Sequence, residues 1–320
     1  MTEIKTVAIA GCGRAGRLHA EAAMELGLTV VAHSTTTELT ASAKAFASLC
    51  PDSRWVTLDA NVLCEAADLV ILALPPEVCH RVVNDFVSQG RPMLVEKPLA
   101  LDTNHILEIQ QTLSSRGSRL AVGYNRRFYP LVQSVRQEFD QDPITWAEVN
   151  IVEDVDHLLR TKGETGAGSY LRVGAATHLL DLCRHMFGTG QPTAIQRHRS
   201  EENDWFVRYQ ITLLASNGAE VRVHIDDVGR ENRGIRVGTR SGKVLQMRPL
   251  ERLRVQAPTD SAITNVIEAS EKERPDSYRV SFRRQLSAFL RADVTTLHSC
   301  YDSLYLSRVI DCLEEVVSRN

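Results

Sequence analysis

The apolar positions of the first 123 residues fall into short unbroken runs, separated by stretches in which they recur every three or four residues. The runs are Thr6–Ala10, Leu28–Ala32, Asp68–Ala73, Pro92–Val95 and Leu120–Gly123; helical spacing covers Arg14–Leu26, Thr40–Leu49, Glu77–Ser88 and Thr103–Ser115. Unbroken runs suit strands covered on both faces, and their alternation with helices predicts βαβ units around a parallel sheet. From Trp146 onward polar and apolar residues alternate instead, in Trp146–Ile151, Thr193–Arg199, Trp205–Leu214, Glu220–Asp226, Gly234–Thr239 and Lys243–Met247. That pattern predicts a mostly antiparallel sheet with one open face. Residues 278–292 and 301–318 read as closing helices. The expected class is α/β, with a doubly wound parallel sheet over residues 1–123 and an α+β domain with an open, mostly antiparallel sheet over 124–320.

Gly11-Cys12-Gly13-Arg14-Ala15-Gly16 sits between the first run and the first helix, the strand–turn–helix arrangement of a Rossmann dinucleotide cradle. Gly11 permits the tight turn, Gly13 lets backbone approach a pyrophosphate, and Gly16 allows helix to pack closely on strand. The phosphates then meet a helix N-terminus, where N–H groups and the dipole favour negative charge. In such sheets ligands gather beyond the carboxyl ends of the strands, which marks Leu74, Pro75, Glu96, Lys97 and Asn125 as cofactor neighbours. After the second run comes Ser34-Thr35-Thr36-Thr37, with no acid before Glu38 to take the ribose 2′-hydroxyl. Hydroxyls at Ser34 and Thr35 with Arg14 in the turn tilt the NAD(P) reading toward NADP; a polar loop capping the next helix is the alternative.

Composition changes this picture little: 320 residues, 43% hydrophobic, 24% charged, formal net charge −3. Near-neutral charge gives no reason to expect nucleic acid or an acidic membrane surface as partner, and no apolar stretch approaches membrane-spanning length. The first residues read as a strand rather than a signal peptide. Seven cysteines dispersed without metal spacing suggest reduced thiols and a cytoplasmic protein. Cys12, inside the glycine turn, is either oxidation-sensitive or, more simply, a small packing residue.

Two stretches carry candidate chemistry. Lys97, closing a buried strand, can polarise a substrate oxygen, or else simply pairs with Glu96. His178 begins a helix stopped by Gly188, with Thr177 or a residue just before it as cap; Asp181, three residues on, shares its face and can orient the imidazole. An imidazole is suited to exchange a proton with an alcohol or ketone. Arg126 and Asn125 lie where substrate or nicotinamide ribose would sit, while Arg127 is equally a structural ion-pair partner. Acids cluster around His157 in Glu153–His157, a solvated or substrate-facing loop including Asp156, and Glu164–Gly168 reads as a mobile loop over the site.

GCGRAGRLH (11–19), LPPEVCH (74–80), EKPLA (96–100), YNRRFYP (124–130) and HLLD (178–181) together resemble the glucose–fructose oxidoreductase/inositol dehydrogenase (Gfo/Idh/MocA) family. The resemblance implies a nucleotide-binding domain followed by an open-sheet domain that mediates homo-oligomer formation. It implies NAD(P)-dependent oxidation or reduction of sugars, cyclitols or nucleotide-linked sugars, with the catalytic lysine at Lys97, the histidine at His178 and His80 near the cofactor. The family places an aspartate four residues before that histidine and a glycine two before it; here stand Gly174 and Ala176. Either Lys97 and His178 suffice, or a neighbour such as Tyr170 or Asp156 takes the role, or the chemistry differs. The rival readings are a reductase of a non-sugar carbonyl or conjugated substrate, and a dinucleotide-binding sensor without turnover.

Overall fold

The apolar runs of the first domain form parallel strands. The computed structural model describes residues 3–160, 170–200, 206–228, 233–258, 265–268 and 277–315. Six strands, β1 (Thr6–Ala10), β2 (Thr29–Ser34), β3 (Arg54–Val56), β4 (Leu69–Leu72), β5 (Met93–Val95) and β6 (Leu120–Val122), lie in the order β3-β2-β1-β4-β5-β6. Every pairing is parallel, which is the doubly wound dinucleotide-binding order. Helices α1 (Arg14–Glu25), α2 (Ala41–Leu49), α3 (Ala60–Ala66), α4 (Pro76–Ser88) and α5 (Thr103–Arg116) connect them. All four residues of β4 and all three of β5 are buried. Each covered Val, Leu or Ile contributes about 1.5–3 kcal/mol relative to exposure.

The second sheet has eight strands: β7 (Ile144–Val152), β8 (Ala194–Arg199), β9 (Val207–Leu214), β10 (Glu220–Asp226), β11 (Gly234–Thr239), β12 (Val244–Met247), β13 (Arg252–Gln256) and β14 (Asn265–Glu268). The order is β14-β13-β12-β11-β7-β10-β9-β8. All pairs are antiparallel except β7 with β10. Ala147, Val149, Val221, Val223, Ile235 and Val237 build the covered face, while Glu148, Arg222 and Arg236 alternate onto the other. A 3₁₀ turn (Asn125–Phe128) and α6 (Pro130–Gln141) precede this sheet; α7 (described over 155–160), α8 (Tyr170–Val173) and α9 (Ala176–Phe187) follow β7. Helix α9 packs against β7 and stops at Gly188, whose φ of 64° is left-handed.

Helices α10 (Ser277–Leu290) and α11 (Cys300–Glu315) end the described chain. Two compact units result: residues 1–125 with 279–304, and 126–278 with 305–320. In the first unit α10 supplies Gln285, which donates to the Val122 carbonyl at 3.2 Å. In the second, Arg172 of α8 pairs with Asp311 and Glu314 of α11 at 2.6 Å each. Among the described residues no helix is long and apolar enough to cross a membrane. The Glu164–Gly168 loop and Trp205 lie outside the described residues.

Candidate active site

In the first unit the glycine turn is dictated by backbone contact. Gly11 has φ 103°, a region open to glycine, and a Cβ there would lie 2.1 Å from the Ala73 carbonyl oxygen. A Cβ on Gly16 would stand 1.8 Å from the Gly11 oxygen, so α1 can press onto the turn only as glycine. Gly13 is the opposite case: nothing lies within 4 Å of where its Cβ would be. It is the N-cap of α1, with no side-chain cap bond and no acid in the first turn. Open space over a helix N-terminus is the cradle a pyrophosphate requires, so these residues fit a dinucleotide. Arg14 is exposed and Ala15 half-buried at this helix start.

The loops at the carboxyl ends of the parallel strands come together around that turn. Gly11 N–H donates to the Ser34 carbonyl at 2.7 Å, Ala73 N–H to Ala10 at 2.7 Å, Glu96 N–H to Leu72 at 2.7 Å and Gly123 N–H to Val95 at 2.7 Å. Leu74 is half-buried and Pro75 exposed at the start of α4. Ser34 is fully buried and its hydroxyl has no partner among the described residues, whereas Thr35 is half-buried. Of the two, Thr35 carries the more exposed side chain. Cys12 is 2% exposed, with its Sγ 3.7 Å from the Ser34 carbonyl oxygen. Burial pushes its thiol up to about 11, which makes it a packing residue rather than a reactive thiolate.

Lys97 is half-buried directly after β5 and precedes a cis peptide bond to Pro98. Its neighbour Glu96 is held by His19: the buried Nε2 lies 2.8 Å from Glu96 Oε1, and the imidazole stands edge-on to Phe282 at 4.7 Å. A Cβ at Gly123 would meet that same carboxyl at 2.9 Å. The loop carrying Lys97 is thus anchored from α1 and β6. His19 was not singled out from the sequence; its place in the first motif was the available signal. Asn125 is buried and donates to Ser281 Oγ at 3.0 Å. His80 ties α4 to α5: its Nδ1 accepts from Leu101 N–H at 3.3 Å and lies 2.8 Å from His105 Nδ1. Its Nε2 lies 3.8 Å from Asp102 Oδ2.

In the second unit His178 is half-buried in the first turn of α9. Asp181 is 2% exposed and forms a bidentate pair with buried Arg127, at 2.5 Å to Nη2 and 2.9 Å to Nε. Its carboxylate thus has a structural role that the helical spacing alone did not show, and Arg127 is the ion-pair partner. Arg126 is half-buried in the 3₁₀ turn, and Asp156 is exposed on α7. Tyr170 donates to the Val207 carbonyl at 2.5 Å and stacks on Phe206 at 4.5 Å. Burial, reinforced by nearby Tyr209 and Glu153, holds its phenol well above the ordinary range. No side chain of α9 caps its start: the N-cap is Ala175, and Thr177 Oγ1 donates to the Gly174 carbonyl at 3.2 Å. The Ala176 N–H instead donates to the carboxylate of Glu153, just past β7.

Residues 5–124 match the model of the Gfo/Idh/MocA family, an oxidoreductase family with an NAD-binding Rossmann fold. An inositol 2-dehydrogenase of Rhizobium meliloti is 28% identical over 163 residues, 48% of this chain and 48% of that protein. The matched chain thus spans about half the length of this curated relative. Two solved structures share the fold over nearly the whole chain. An Agrobacterium radiobacter oxidoreductase in complex with NAD+, L-tartaric acid and magnesium superposes with TM-score 0.78 at 17% identity, covering 99% of this chain and 97% of its own. A UDP-N-acetylglucosamine 3-dehydrogenase of Acidithiobacillus ferrooxidans does so with TM-score 0.75 at 17% identity, covering 99% and 98%. Over residues 5–124 the chain is therefore similar to the NAD-binding Rossmann domain of the Gfo/Idh/MocA oxidoreductases.

Proposed function

We propose that the protein is an NAD(P)-dependent oxidoreductase that moves hydride between nicotinamide and a secondary alcohol or ketone of a sugar, cyclitol or nucleotide-sugar-like substrate. The observation that carries this reading is the cradle at α1, open at Gly13 and closed to side chains at Gly11 and Gly16. The substrate class rests on the relatives, which are named for inositol and for a UDP-linked sugar. Bound nicotinamide supplies the hydride acceptor or donor. Gly11, Gly13, Arg14, Ala15 and Gly16 hold the pyrophosphate, with Leu74, Pro75, His80, Glu96 and Asn125 as further neighbours of the cofactor. Lys97 sets its ammonium against the substrate oxygen and stabilises the charge that develops there. His178 accepts the alcohol proton in oxidation and returns it in reduction. Arg126 and Asp156 are the further candidates for holding substrate hydroxyls.

The NADP preference rests on the acid-free Ser34–Thr35 end of β2 and on exposed Arg14. The open face of the second sheet suits assembly with further copies of this chain, and the dispersed thiols suit a reducing cytoplasmic setting. The test is absorbance near ~340 nm, where reduced nicotinamide absorbs, with NAD or NADP and a panel of cyclitols and sugars. Lys97→Ala and His178→Ala should each lower kcat by about 100-fold or more while dinucleotide binding persists. A protein that binds dinucleotide but turns over no alcohol or ketone in the panel is a sensor, and the reading fails.

A further inference from the structure

We propose that Glu153 is the positioning carboxylate of the His178 site, reaching from the end of β7 to the first turn of α9. The inference rests on the reading of His178 as the proton-transfer group. Glu153 is 2% exposed, and its Oε1 accepts the N–H of Ala176, two residues before His178. One helical turn is about 5.4 Å long, so this charge lies within a turn of the imidazole's backbone.

Position 174 explains why the acid arrives from another element. A Cβ on Gly174 would lie 2.6 Å from the Tyr170 carbonyl oxygen and 2.9 Å from Glu153 Oε1. The backbone oxygen cannot yield cheaply, so this turn admits no side chain at 174. The Glu153 carboxylate already stands against that gap. The other nearby candidates are committed or distant from the role: the Tyr170 hydroxyl bonds the Val207 carbonyl, and Asp156 is exposed.

Capping alone is a poor reason for burying a carboxylate. A serine or threonine at the N-cap would satisfy a first-turn N–H without removing a charge from water, yet the chain has Ala175 there. A buried anion at this point does something a hydroxyl cannot. It favours the protonated imidazole, which strengthens His178 as acceptor of an alcohol proton and holds its helix at a fixed height on β7. Other charged or titratable groups stand around Glu153 on the neighbouring elements. Tyr170 faces it from α8. Asp226 accepts the Glu153 N–H at 2.9 Å through its carbonyl, and Asp226 and Asp227 are both paired with Arg208. Arg233 donates to the Val152 carbonyl, and Asp154 follows in sequence.

The test is Glu153→Gln in the full chain, since the amide oxygen still accepts from Ala176 while the charge is gone. His178 is titrated by NMR without ligand, and the pH profile of kcat/KM is recorded with whichever substrate the panel yields. In Glu153→Gln the His178 titration should fall by about one pH unit, the kinetic limb should move with it, and the thermal midpoint should hold. Glu153→Asp, which keeps the charge one methylene shorter, should titrate close to wild type. An unmoved His178 in Glu153→Gln, or an equal shift in Glu153→Asp, overturns the proposal and leaves Glu153 a helix cap. A shifted His178 in a protein with no turnover sinks the oxidoreductase reading and leaves the coupling standing. Turnover with an unmoved His178 and limb sinks the Glu153 assignment alone.

Discussion

Neither α1 nor α9 is capped by the side chain of its own N-cap residue, and the molecule treats the two starts in opposite ways. At α1 the N-cap is Gly13, with open space where a Cβ would be. At α9 the N-cap is Ala175, and a buried carboxylate of the same chain occupies the first turn. A helix N-terminus attracts an anion in either case. The difference lies in who supplies it: α9 is satisfied within the fold, whereas α1 is built for an anion from outside. Stability should therefore depend on the contacts around α9, and ligand affinity on those around α1.

The largest effect should follow from breaking the buried pair behind α9. Asp181→Ala leaves the Arg127 guanidinium buried without its bidentate partner, which should cost about 3–5 kcal/mol, read as a fall in the urea midpoint. If the loss is small, α9 does not depend on that pair. At α1 two glycine substitutions separate fold from ligand. Gly16→Ala drives a Cβ into the Gly11 carbonyl and should destabilise the fold by about 1–3 kcal/mol as overpacking does, as well as weakening dinucleotide. Gly13→Ala meets nothing in the protein; it should cost less than about 1 kcal/mol of stability. Yet it should weaken NAD(P) by about tenfold, a difference of about 1.4 kcal/mol by calorimetry. Equal damage from both would remove the distinction between a packing glycine and a cradle glycine.

The smallest effect tests an anion that the first unit supplies for itself. Asp68 accepts from the N–H of Lys5 and of Thr6 at 3.0 Å each, and these bonds hold its carboxyl below the ordinary range. A depressed carboxylate contributes stability above its unfolded value, near ~3.9, and loses it as pH falls through the folded value. Asp68→Asn should therefore flatten the acid side of the stability curve, by less than about 1 kcal/mol at this partly exposed site. Differential scanning calorimetry from pH 7 down to the acid transition checks it.

What could be read from the chain beforehand follows from how local each cause is. The glycine turn is legible because Gly11 and Gly16 answer to backbone a few residues or one strand away. Strand β3 (Arg54–Val56) escaped the pattern because three residues pairing only with β2 carry too little periodicity. Helix α3 was missed although Asp59 caps it by accepting from Val62 N–H, and α6 although Pro130 occupies its first position. Both signals were available. Glu153 was visible only as one of several acids before His157, a stretch that reads as solvated. Only the fold buries Glu153 and leaves Asp156 in water. Asp181 teaches the same lesson, since helical spacing put it beside His178 but could not show that Arg127 holds it.

The burial of Cys12 extends to five further cysteines, all six thiols being buried while Cys312 alone is half-exposed. A maleimide dye should therefore find a single native attachment point near the end of α11, on a face remote in sequence from both Gly13 and His178. Fluorescent reporters of nucleotide capture can then be installed without first deleting cysteines.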